Sequence, residues 1–386
     1  MILPPATLGL LGGGQLGRFF VVAAHELGYR VIVLDPDPDS PAGRIADEHL
    51  AAVYDDPAAL GYLAESCAAV TTEFENVPAK VLHFLAMSGR VRPGAEAVAI
   101  CQNRSVEKEF LKRNGFPHAP YADIRNEEDA QKADAGLFPG ILKVACFGYD
   151  GKGQARVKNR EEARAAFRQF SFEPCVLEKM LPLDHEVSVV LARDETGEVK
   201  CFPAVENHHL HGVLDISSVP PARACLSESA ENMAAEIARK IDYVGVMAVE
   251  YFVVRGQLYV NEMAPRPHNS GHYTLDACVT DQFEQQVRVL CGLPLGDTRL
   301  HSAATMVNLL GDLWYLDAPS HARVPEWQKL LAVPNLKLHL YGKRHAKPGR
   351  KMGHFTVVGE DAGDVQKSAL AGRRAIGIQG PVKEMT

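Results

Sequence analysis

The most informative segment of the chain reads Met247-Ala-Val-Glu-Tyr-Phe-Val-Val-Arg-Gly-Gln-Leu-Tyr-Val-Asn-Glu262. Two runs of β-branched and aromatic residues flank Arg255-Gly256, which predicts two antiparallel strands joined as a hairpin. With a three-residue turn at 255–257, Glu250 would lie opposite Glu262 on one face. Opposed carboxylates among apolar neighbours repel each other, so we expect a cation between them. Mg²⁺ suits this position, because it takes one or two protein carboxylates and completes its octahedron with phosphate oxygens and water.

A glycine-rich segment upstream, Phe147-Gly-Tyr-Asp-Gly-Lys-Gly-Gln154, lies between two predicted strands, Ile141–Val144 and Ala155–Val157. Its backbone amides and Lys152 could fold over triphosphate oxygens, and Lys143 would add a second cation. It is not a Walker A loop, because no G-K-[ST] opens a helix. The alternatives are an ordinary glycine-rich hairpin and, for the two acids, solvated carboxylates on an exposed strand. Loop, lysine and acid pair together indicate an ATP·Mg site.

A second glycine-rich loop, Gly12-Gly-Gly-Gln-Leu-Gly17, leaves its ligand open. It contains G-x-G-x-x-G, follows the predicted strand Thr7–Leu11 and opens the predicted helix Gln15–Leu27, and Asp35 ends the next strand. This arrangement is typical of NAD(P) or FAD binding. A tight turn with no ligand also fits, since glycine adopts the required backbone angles. So does an anion site for any phosphate or carboxylate at the helix N-terminus.

The element pattern changes along the chain. The first hundred or so residues alternate short strands with helices, which predicts a parallel α/β sheet, whereas neighbouring short strands in the middle third suggest antiparallel α+β structure. A predicted helix at Asn103–Asn114 is stopped by Gly115. We therefore expect an N-terminal domain over 1–103, a middle domain over 104–303 and a small C-terminal domain over 304–386.

Composition excludes several classes of protein. The 386 residues carry 41 Lys+Arg against 48 Asp+Glu, a net charge of −7, which disfavours broad binding to nucleic acid or anionic membranes. Eight single cysteines without metal spacing read as reduced thiols of a cytoplasmic protein, and no apolar run is long enough for a membrane span. Residues 337–351 nevertheless hold six Lys/Arg and no acid, which fits either a solvated face or a phosphate-binding turn.

In their order the motifs resemble those of the ATP-grasp superfamily. Within it, the chain resembles the 5-(carboxyamino)imidazole ribonucleotide synthases, ATP-dependent carboxylases of purine biosynthesis. The closer resemblance rests on Leu11–Gly17, Thr72–Pro78, Gly148–Gln154, Asn261–His272 and Lys351–His354. It implies mixed α/β and α+β structure: an N-terminal Rossmann-like (preATP-grasp) domain, an ATP-grasp domain with a mobile lid at about 116–177, and a small C-terminal domain that completes the substrate phosphate site.

The resemblance also implies the residues that bind ATP and metal. Those on the ATP phosphates would be Arg104, Lys143, Gly148, Tyr149, Asp150, Gly151, Lys152, Gly153 and Gln154. Those on the adenine and ribose would be Glu178, Lys179, Met180, Leu181 and Glu186, with His209 close by. Glu250 and Glu262 would bind Mg²⁺, with Asn261 beside them.

A second substrate, 5-aminoimidazole ribonucleotide, is implied at the first glycine loop. Its contacts would be Gly14, Gln15, Leu16, Glu73 and Asn76, with Lys343 and Arg350 on its 5′-phosphate. Bicarbonate or carboxyphosphate would lie at Arg266, His268 and Asn269. With Lys143 and Asp150, these three would form the catalytic set.

The implied reaction is the ATP- and bicarbonate-dependent carboxylation of the exocyclic amine of 5-aminoimidazole ribonucleotide. It would proceed through carboxyphosphate and release ADP and phosphate, in a cytoplasmic carbon–nitrogen ligase that the resemblance implies is a homodimer. Three alternatives remain open from the sequence. They are another ATP-grasp enzyme (a glycinamide ribonucleotide formyltransferase or a biotin-carboxylase-like enzyme), an NAD-dependent dehydrogenase, and a non-catalytic nucleotide-binding module.

Overall fold

Three β-sheets organise the part of the chain that the structure, a computed structural model, describes: residues 1–146, 153–316 and 322–379. One sheet is parallel and belongs to the N-terminal region. The other two are antiparallel, which confirms the change from α/β to α+β structure predicted for the middle third. Among the described residues, no helix combines the length and apolar character needed to span a membrane.

The N-terminal sheet has the strand order β3-β2-β1-β4-β5. Its strands are β1 Thr7–Leu11, β2 Arg30–Leu34, β3 Glu48–Leu50, β4 Ala69–Thr72 and β5 Arg90–Val91. Its helices are α1 Gln15–Glu26, α2 Pro57–Ser66, α3 Ala79–Ala86 and α4 Ala95–Gln102. β1 and β4 are parallel neighbours, so their carboxyl ends lie side by side and bring the glycine loop after β1 next to the segment after β4.

The smaller antiparallel sheet has the order β6-β9-β7-β8 and follows a helix that begins directly after the N-terminal region. Its strands are β6 Tyr121–Ile124, β7 Gly140–Val144, β8 Gln154–Val157 and β9 Cys175–Lys179. The helices of this region are α5 Arg104–Arg113, α6 Glu127–Lys132 and α7 Arg160–Gln169. Asn103 caps α5 by accepting hydrogen bonds from two of its first N–H groups.

The largest sheet runs through the rest of the chain in the order β15-β14-β10-β12-β13-β16-β18-β17, with β11 on β10. Its strands are β10 His185–Arg193, β11 Val199–Cys201, β12 Val205–Leu210, β13 Val213–Val219, β14 Gly245–Val254, β15 Gln257–Ala264, β16 Ala303–Leu310, β17 Leu336–Leu340 and β18 Lys351–Gly359. The accompanying helices are α8 Ser227–Lys240, α9 Thr274–Ala277, α10 Gln282–Cys291, α11 Trp327–Leu331 and α12 Ala362–Ala375. Strands after residue 303 therefore continue the sheet that carries the acid pair.

The hairpin β14–β15 pairs Glu250 with Glu262, as predicted, but the predicted three-residue turn is wrong. Val254 pairs with Gln257, so the turn contains only Arg255 and Gly256, whose φ angles of 50° and 72° suit a type I′ hairpin turn. A β-bulge then shifts the register by one residue, because Tyr251 pairs with Val260 while Glu250 pairs with Glu262. Asn261 is the extra residue.

Candidate active site

A cleft of about 1250 Å³ lies where the three sheets approach one another. It brings together most of the residues that the sequence predicted. Those that line it are Gly14, Gln15, Leu16, Glu73, Arg104, Lys143, Gly153, Gln154, Glu186, His209, Glu250, Asn261, Glu262, Arg266, His268, Asn269, Lys343 and Arg350. Candidate nucleotide, metal, bicarbonate and ribonucleotide residues thus share one cavity.

Several predicted residues lie elsewhere. Asn76 lines a side cavity of about 40 Å³ that also contacts Arg104, Glu262 and Arg266. Glu178 is buried at the end of β9, and the following Lys179, Met180 and Leu181 do not contribute to the lining of the cleft. Predictions for Gly148, Tyr149, Asp150, Gly151 and Lys152 fall outside the described residues.

The pKa values of the two acids of the β14–β15 hairpin are shifted in opposite directions. Burial, together with the neighbouring Glu262, raises the pKa of Glu250 to about 7. Burial alone would also raise the pKa of Glu262, but the positive charges of Arg104 and Lys143 outweigh it and lower that pKa. Arg104 donates to Glu262 Oε2 at 3.0 Å, and His268 Nε2 lies 3.3 Å from Glu250 Oε1. The two buried carboxylates therefore repel each other when both are ionised, and a further cation between them would reduce that repulsion.

These residues fit a bound Mg²⁺. The Oδ1 atom of Asn261 is buried without a hydrogen-bond partner, while its Nδ2 atom lies 3.5 Å from Glu250 Oε2. An unpartnered buried acceptor beside two carboxylates makes a set of oxygen donors only, which is the set that Mg²⁺ prefers.

Two lysines share one buried carboxylate, that of Glu178. Lys143 and Lys108 lie 3.1 and 3.7 Å from Glu178 Oε2. Burial opposes ionisation of Glu178, but Lys108, Lys143 and Arg104 outweigh it and lower its pKa to about 2. Burial lowers the pKa of Lys143, and Glu178 offsets part of that effect. Lys143 is thus held at the cleft wall by a carboxylate that is ionised at neutral pH.

Arg266 faces the cleft in a pair with Glu75. Burial would lower the pKa of Arg266, but Glu75 and Glu73 raise it, so the guanidinium stays charged. Sequence reasoning missed Glu75, although it is the second acid of the Thr72-Glu-Phe-Glu segment. Burial, followed by the charge of Arg266, holds the pKa of neighbouring His268 well below its usual value, so His268 is neutral at pH 7.

A matched pair of neighbouring residues lines the opposite part of the cleft. His209 Nδ1 lies 3.0 Å from Glu186 Oε2, and the two residues come from adjacent strands β12 and β10. Burial would lower the pKa of His209, but the adjacent Glu186 carboxylate outweighs this effect and raises that pKa. A ribose or phosphate group bound here would contact both of these polar side chains.

The first glycine loop is occupied by the chain's own carboxylates. Glu73 accepts hydrogen bonds from the N–H groups of Gly14 and Gly17 at 2.7 and 3.0 Å. A Cβ atom on Gly14 would lie 2.7 Å from Glu73 Oε1, so glycine is required there by a close approach. The anion at this helix N-terminus is therefore Glu73.

Asp35 is also fully engaged. Its Oδ2 accepts from Gly13 N at 2.7 Å and from the Tyr54 hydroxyl at 2.9 Å, and its Oδ1 accepts from Asp37 N at 2.8 Å. A dinucleotide-binding acid must offer its carboxylate to a ribose. The geometry thus disfavours the NAD interpretation of this loop.

The basic segment 343–351 faces the first glycine loop across the cleft. Lys343, Lys347, Arg350 and Lys351 all line it. Lys343 Nζ donates to the Lys351 carbonyl at 2.7 Å, and Arg350 donates to the His345 carbonyl at 3.0 Å. Arg44 from the N-terminal region donates to the Gly342 carbonyl at 3.1 Å, which ties the two regions together. This concentration of cations suits a phosphate group.

Three family models match successive parts of the chain. They are the ribonucleotide synthetase preATP-grasp domain over residues 5–102, the ATP-grasp domain over 109–283 and the phosphoribosylaminoimidazole carboxylase C-terminal domain over 304–368. The fold is accordingly an ATP-grasp fold with an N-terminal preATP-grasp domain and a C-terminal domain.

Curated and solved proteins match over nearly the whole length. The N5-carboxyaminoimidazole ribonucleotide synthase of Brucella melitensis biotype 1 is 43% identical over 360 residues, which cover 92% of this chain and 97% of that protein. An ADP complex of an N5-carboxyaminoimidazole ribonucleotide synthetase has a TM-score of 0.90 and 40% identity, with 97% of both chains covered. The synthase of Aspergillus clavatus with ADP and 5-aminoimidazole ribonucleotide has a TM-score of 0.85 and 27% identity, with 96% of this chain and 98% of that chain covered.

Proposed function

The chain belongs to the N5-carboxyaminoimidazole ribonucleotide synthase family of ATP-grasp ligases, and from this premise we propose how its cleft works. The reaction is the ATP-dependent carboxylation of 5-aminoimidazole ribonucleotide in purine biosynthesis. One observation carries the proposal: a single cleft is lined by the acid pair, by Arg266 and by the basic segment opposite the first glycine loop. Three anionic substrates can thus meet in one cavity.

ATP would lie between the two antiparallel sheets, with its phosphates near Arg104 and Lys143. Glu250 and Glu262 would hold Mg²⁺, with Asn261 Oδ1 as a further oxygen ligand. When bound, the metal offsets charge on the phosphates and orients them. Glu186 and His209 would contact the nucleoside part of ATP, at the far side of the cleft.

Bicarbonate would bind at Arg266, His268 and Asn269. Glu75 keeps the Arg266 guanidinium charged and oriented towards the cleft, so it can steady an anion that accepts the γ-phosphoryl group. Phosphorylation turns bicarbonate, a poor electrophile, into carboxyphosphate. His268, which is neutral, and the departing phosphate are the two candidate acceptors for the amine proton.

The ribonucleotide would lie against Gln15 and Leu16, with its phosphate on Lys343 and Arg350. Glu73 would position the exocyclic amine. Its carboxylate is fixed by two backbone N–H groups, and this leaves lone pairs on the same oxygens directed elsewhere. Closure of the lid would exclude water from the reactive intermediate.

We also propose that the enzyme is a cytoplasmic homodimer, as the family resemblance implies. All eight cysteines are free thiols, which fits a reducing compartment. Light scattering on the purified protein at several concentrations would reveal a mass of one chain if the dimer is wrong.

The function is tested by ADP release in the presence of bicarbonate, with and without 5-aminoimidazole ribonucleotide. We expect release to be coupled to the ribonucleotide and the product to contain carbon from labelled bicarbonate. Glycinamide ribonucleotide and biotin serve as competing acceptors. Equal stimulation by either of them would contradict the proposed substrate.

A further inference from the structure

The bulge in β15 decides which way Glu262 points. Side chains alternate across a strand, and Leu258 and Val260 face the buried core that also contains Tyr251 and Val253. Continued alternation would send the residue at 262 into that core. The extra residue shifts the phase by one, so Met263 faces the core and Glu262 faces the cleft.

Three side chains of helix α5 form hydrogen bonds with the residues of this bulge. Arg104 donates to the carboxylate of Glu262 at 3.0 Å. Lys108 Nζ donates to the backbone carbonyl of Asn261 at 2.8 Å, and Glu107 accepts from the backbone N–H of Met263 at 2.5 Å. Consecutive residues 261, 262 and 263 are thus each held by the same helix. An extra residue in a bulge leaves the ladder of strand hydrogen bonds, so its backbone groups need partners from elsewhere.

Two of these three side chains are almost completely buried, which is unusual for groups that can carry a charge. Lys108 is fully buried and Glu107 is 2% exposed. Lys108 does not contribute to the lining of the cleft, so it is not in place to touch ATP or the ribonucleotide. Burial of a lysine is costly unless it is paired, and here the ammonium is paired with the Asn261 carbonyl and lies 3.7 Å from Glu178. Lys108 is therefore placed to act on the bulge and on Glu178 rather than on a substrate.

We propose that Glu107 and Lys108 are positioning residues that lock the β15 bulge, so that Glu250 and Glu262 face the same metal. Lys108 does this through the Asn261 carbonyl and at the same time orients Glu178, the partner of Lys143. The inference rests on the proposed role of Glu250 and Glu262 as metal ligands. Removal of the lock leaves the chain folded but lets the strand slip at Asn261, which separates the two acids.

The test is a titration of the full-length protein with Mn²⁺ in the presence of saturating ADP. Electron paramagnetic resonance measures the bound Mn²⁺, and bicarbonate and the ribonucleotide are left out. Lys108→Met removes the ammonium and keeps an unbranched apolar side chain that reaches as far as the lysine Cε atom. The matched control is Lys112→Met, one turn further along α5, where the lysine is exposed. We expect the Mn²⁺ dissociation constant to rise about tenfold or more in Lys108→Met, the range typical for residues that orient metal ligands, and to stay unchanged in the control.

A second pair of variants separates the lock from general stability. Glu107→Gln keeps an acceptor oxygen for Met263 N–H and should retain Mn²⁺ affinity, whereas Glu107→Leu should lose it. The affinity for ADP measured without metal should change by a smaller factor than the Mn²⁺ affinity, because Lys143 still pairs with Glu178. An unchanged Mn²⁺ constant in folded Lys108→Met, or an equal loss of metal-free ADP binding, overturns the proposal. Mn²⁺ binding that is indifferent to Glu262→Gln overturns the metal assignment and the lock together, whatever acceptor the enzyme carboxylates.

Discussion

Glu262 is the residue at which the charges of the cleft converge. Arg104 pairs with it directly, while Lys143 and Arg266 lower its pKa from a distance. Its partner Glu250 has a pKa of about 7, so at neutral pH the pair carries less than two full charges. A divalent ion bound to the carboxylates of both Glu250 and Glu262 would lower the pKa of Glu250 and favour its ionised form. We therefore expect the charge at Glu262 to control metal binding.

We expect Glu262→Gln to lower the rate of ATP turnover by about 10²-fold or more, because an amide cannot replace an anionic metal ligand. The measurement is ADP release at saturating ATP and bicarbonate. Glu228→Gln, an exposed acid on α8, is the matched control and should be indistinguishable from the wild type. Near-normal ADP release by Glu262→Gln would contradict the metal role.

Lys343→Ala tests the other end of the cleft. Loss of a charged hydrogen bond to phosphate is worth about 1.5–3 kcal/mol, so the KM for the ribonucleotide should rise by about 10- to 100-fold. The KM for ATP should change little. Lys337→Ala serves as the control, because Lys337 lies on β17 upstream of the basic segment, is exposed and does not contribute to the cleft. Equal changes in both KM values would contradict the phosphate role.

At the scale of elements, a column of three histidines joins β17, β18 and the turn before α9. The His354 ring stacks between those of His272 and His339, with centroids 4.6 Å apart on each side. His354 Nδ1 pairs with the Tyr341 hydroxyl at 2.9 Å, and His339 Nε2 pairs with Asp276 at 2.9 Å. Phe19 of α1 contacts the column from the N-terminal region. Stacked imidazole rings thus join β17 and β18 to the turn before α9.

This column predicts sensitivity to acid. Burial, followed by neighbouring histidines, holds the pKa values of His272 and His354 well below their usual value. Below the unfolded value of about 6.5, the unfolded chain takes up protons that the folded chain does not, so stability is full above that pH and falls below it. Each such histidine contributes a loss of up to about 1.4 kcal/mol per pH unit.

His354→Phe keeps a ring in the column but cannot titrate. Its free energy of unfolding should fall less steeply between pH 6.5 and 5.5 than that of the wild type, by up to about 1.4 kcal/mol per pH unit. Urea denaturation at the two pH values measures the difference. Parallel pH curves for the two proteins would show that His354 is not the group responsible.

The parts of this site that sequence reasoning could predict are those encoded locally. Glu250 and Glu262 lie within one hairpin, so their pairing followed from strand alternation, although the turn and the bulge that achieve it did not. Bulges depend on contacts such as Lys108 with Asn261, which are 153 residues apart and leave no periodic signal. The same holds for Arg266 with Glu75, 191 residues apart, where only the proximity of a second acid in the Thr72–Pro78 segment hinted at a role.

At the scale of the whole molecule, the three regions enclose one cleft rather than three separate sites. Its walls come from the first glycine loop, the acid pair and the basic segment, so a nucleotide bound in it contacts more than one region. A ligand that binds only the folded state raises the free energy of unfolding, by about 2.7 kcal/mol at 100 times its dissociation constant. Nucleotide binding should therefore stabilise the entire chain.

Mg·ADP should raise the melting temperature by several degrees, whereas NAD should not, because Asp35 is already engaged by Gly13, Tyr54 and Asp37. Differential scanning fluorimetry with each ligand at equal concentration checks both expectations. Mg²⁺ alone is the control for a general salt effect. Stabilisation by NAD comparable to that by Mg·ADP would restore the dehydrogenase alternative.

The large sheet has a consequence for any attempt to divide the chain. β13 pairs with β16, and β18 lies between β16 and β17, so strands after residue 303 cover one flank of the sheet that carries the acid pair. A chain ending at 303 would leave β13 with a row of unpaired N–H and C=O groups along an open edge. Such an edge is a template for pairing with other chains. The shortened protein should therefore aggregate instead of folding as a smaller ATP-binding unit.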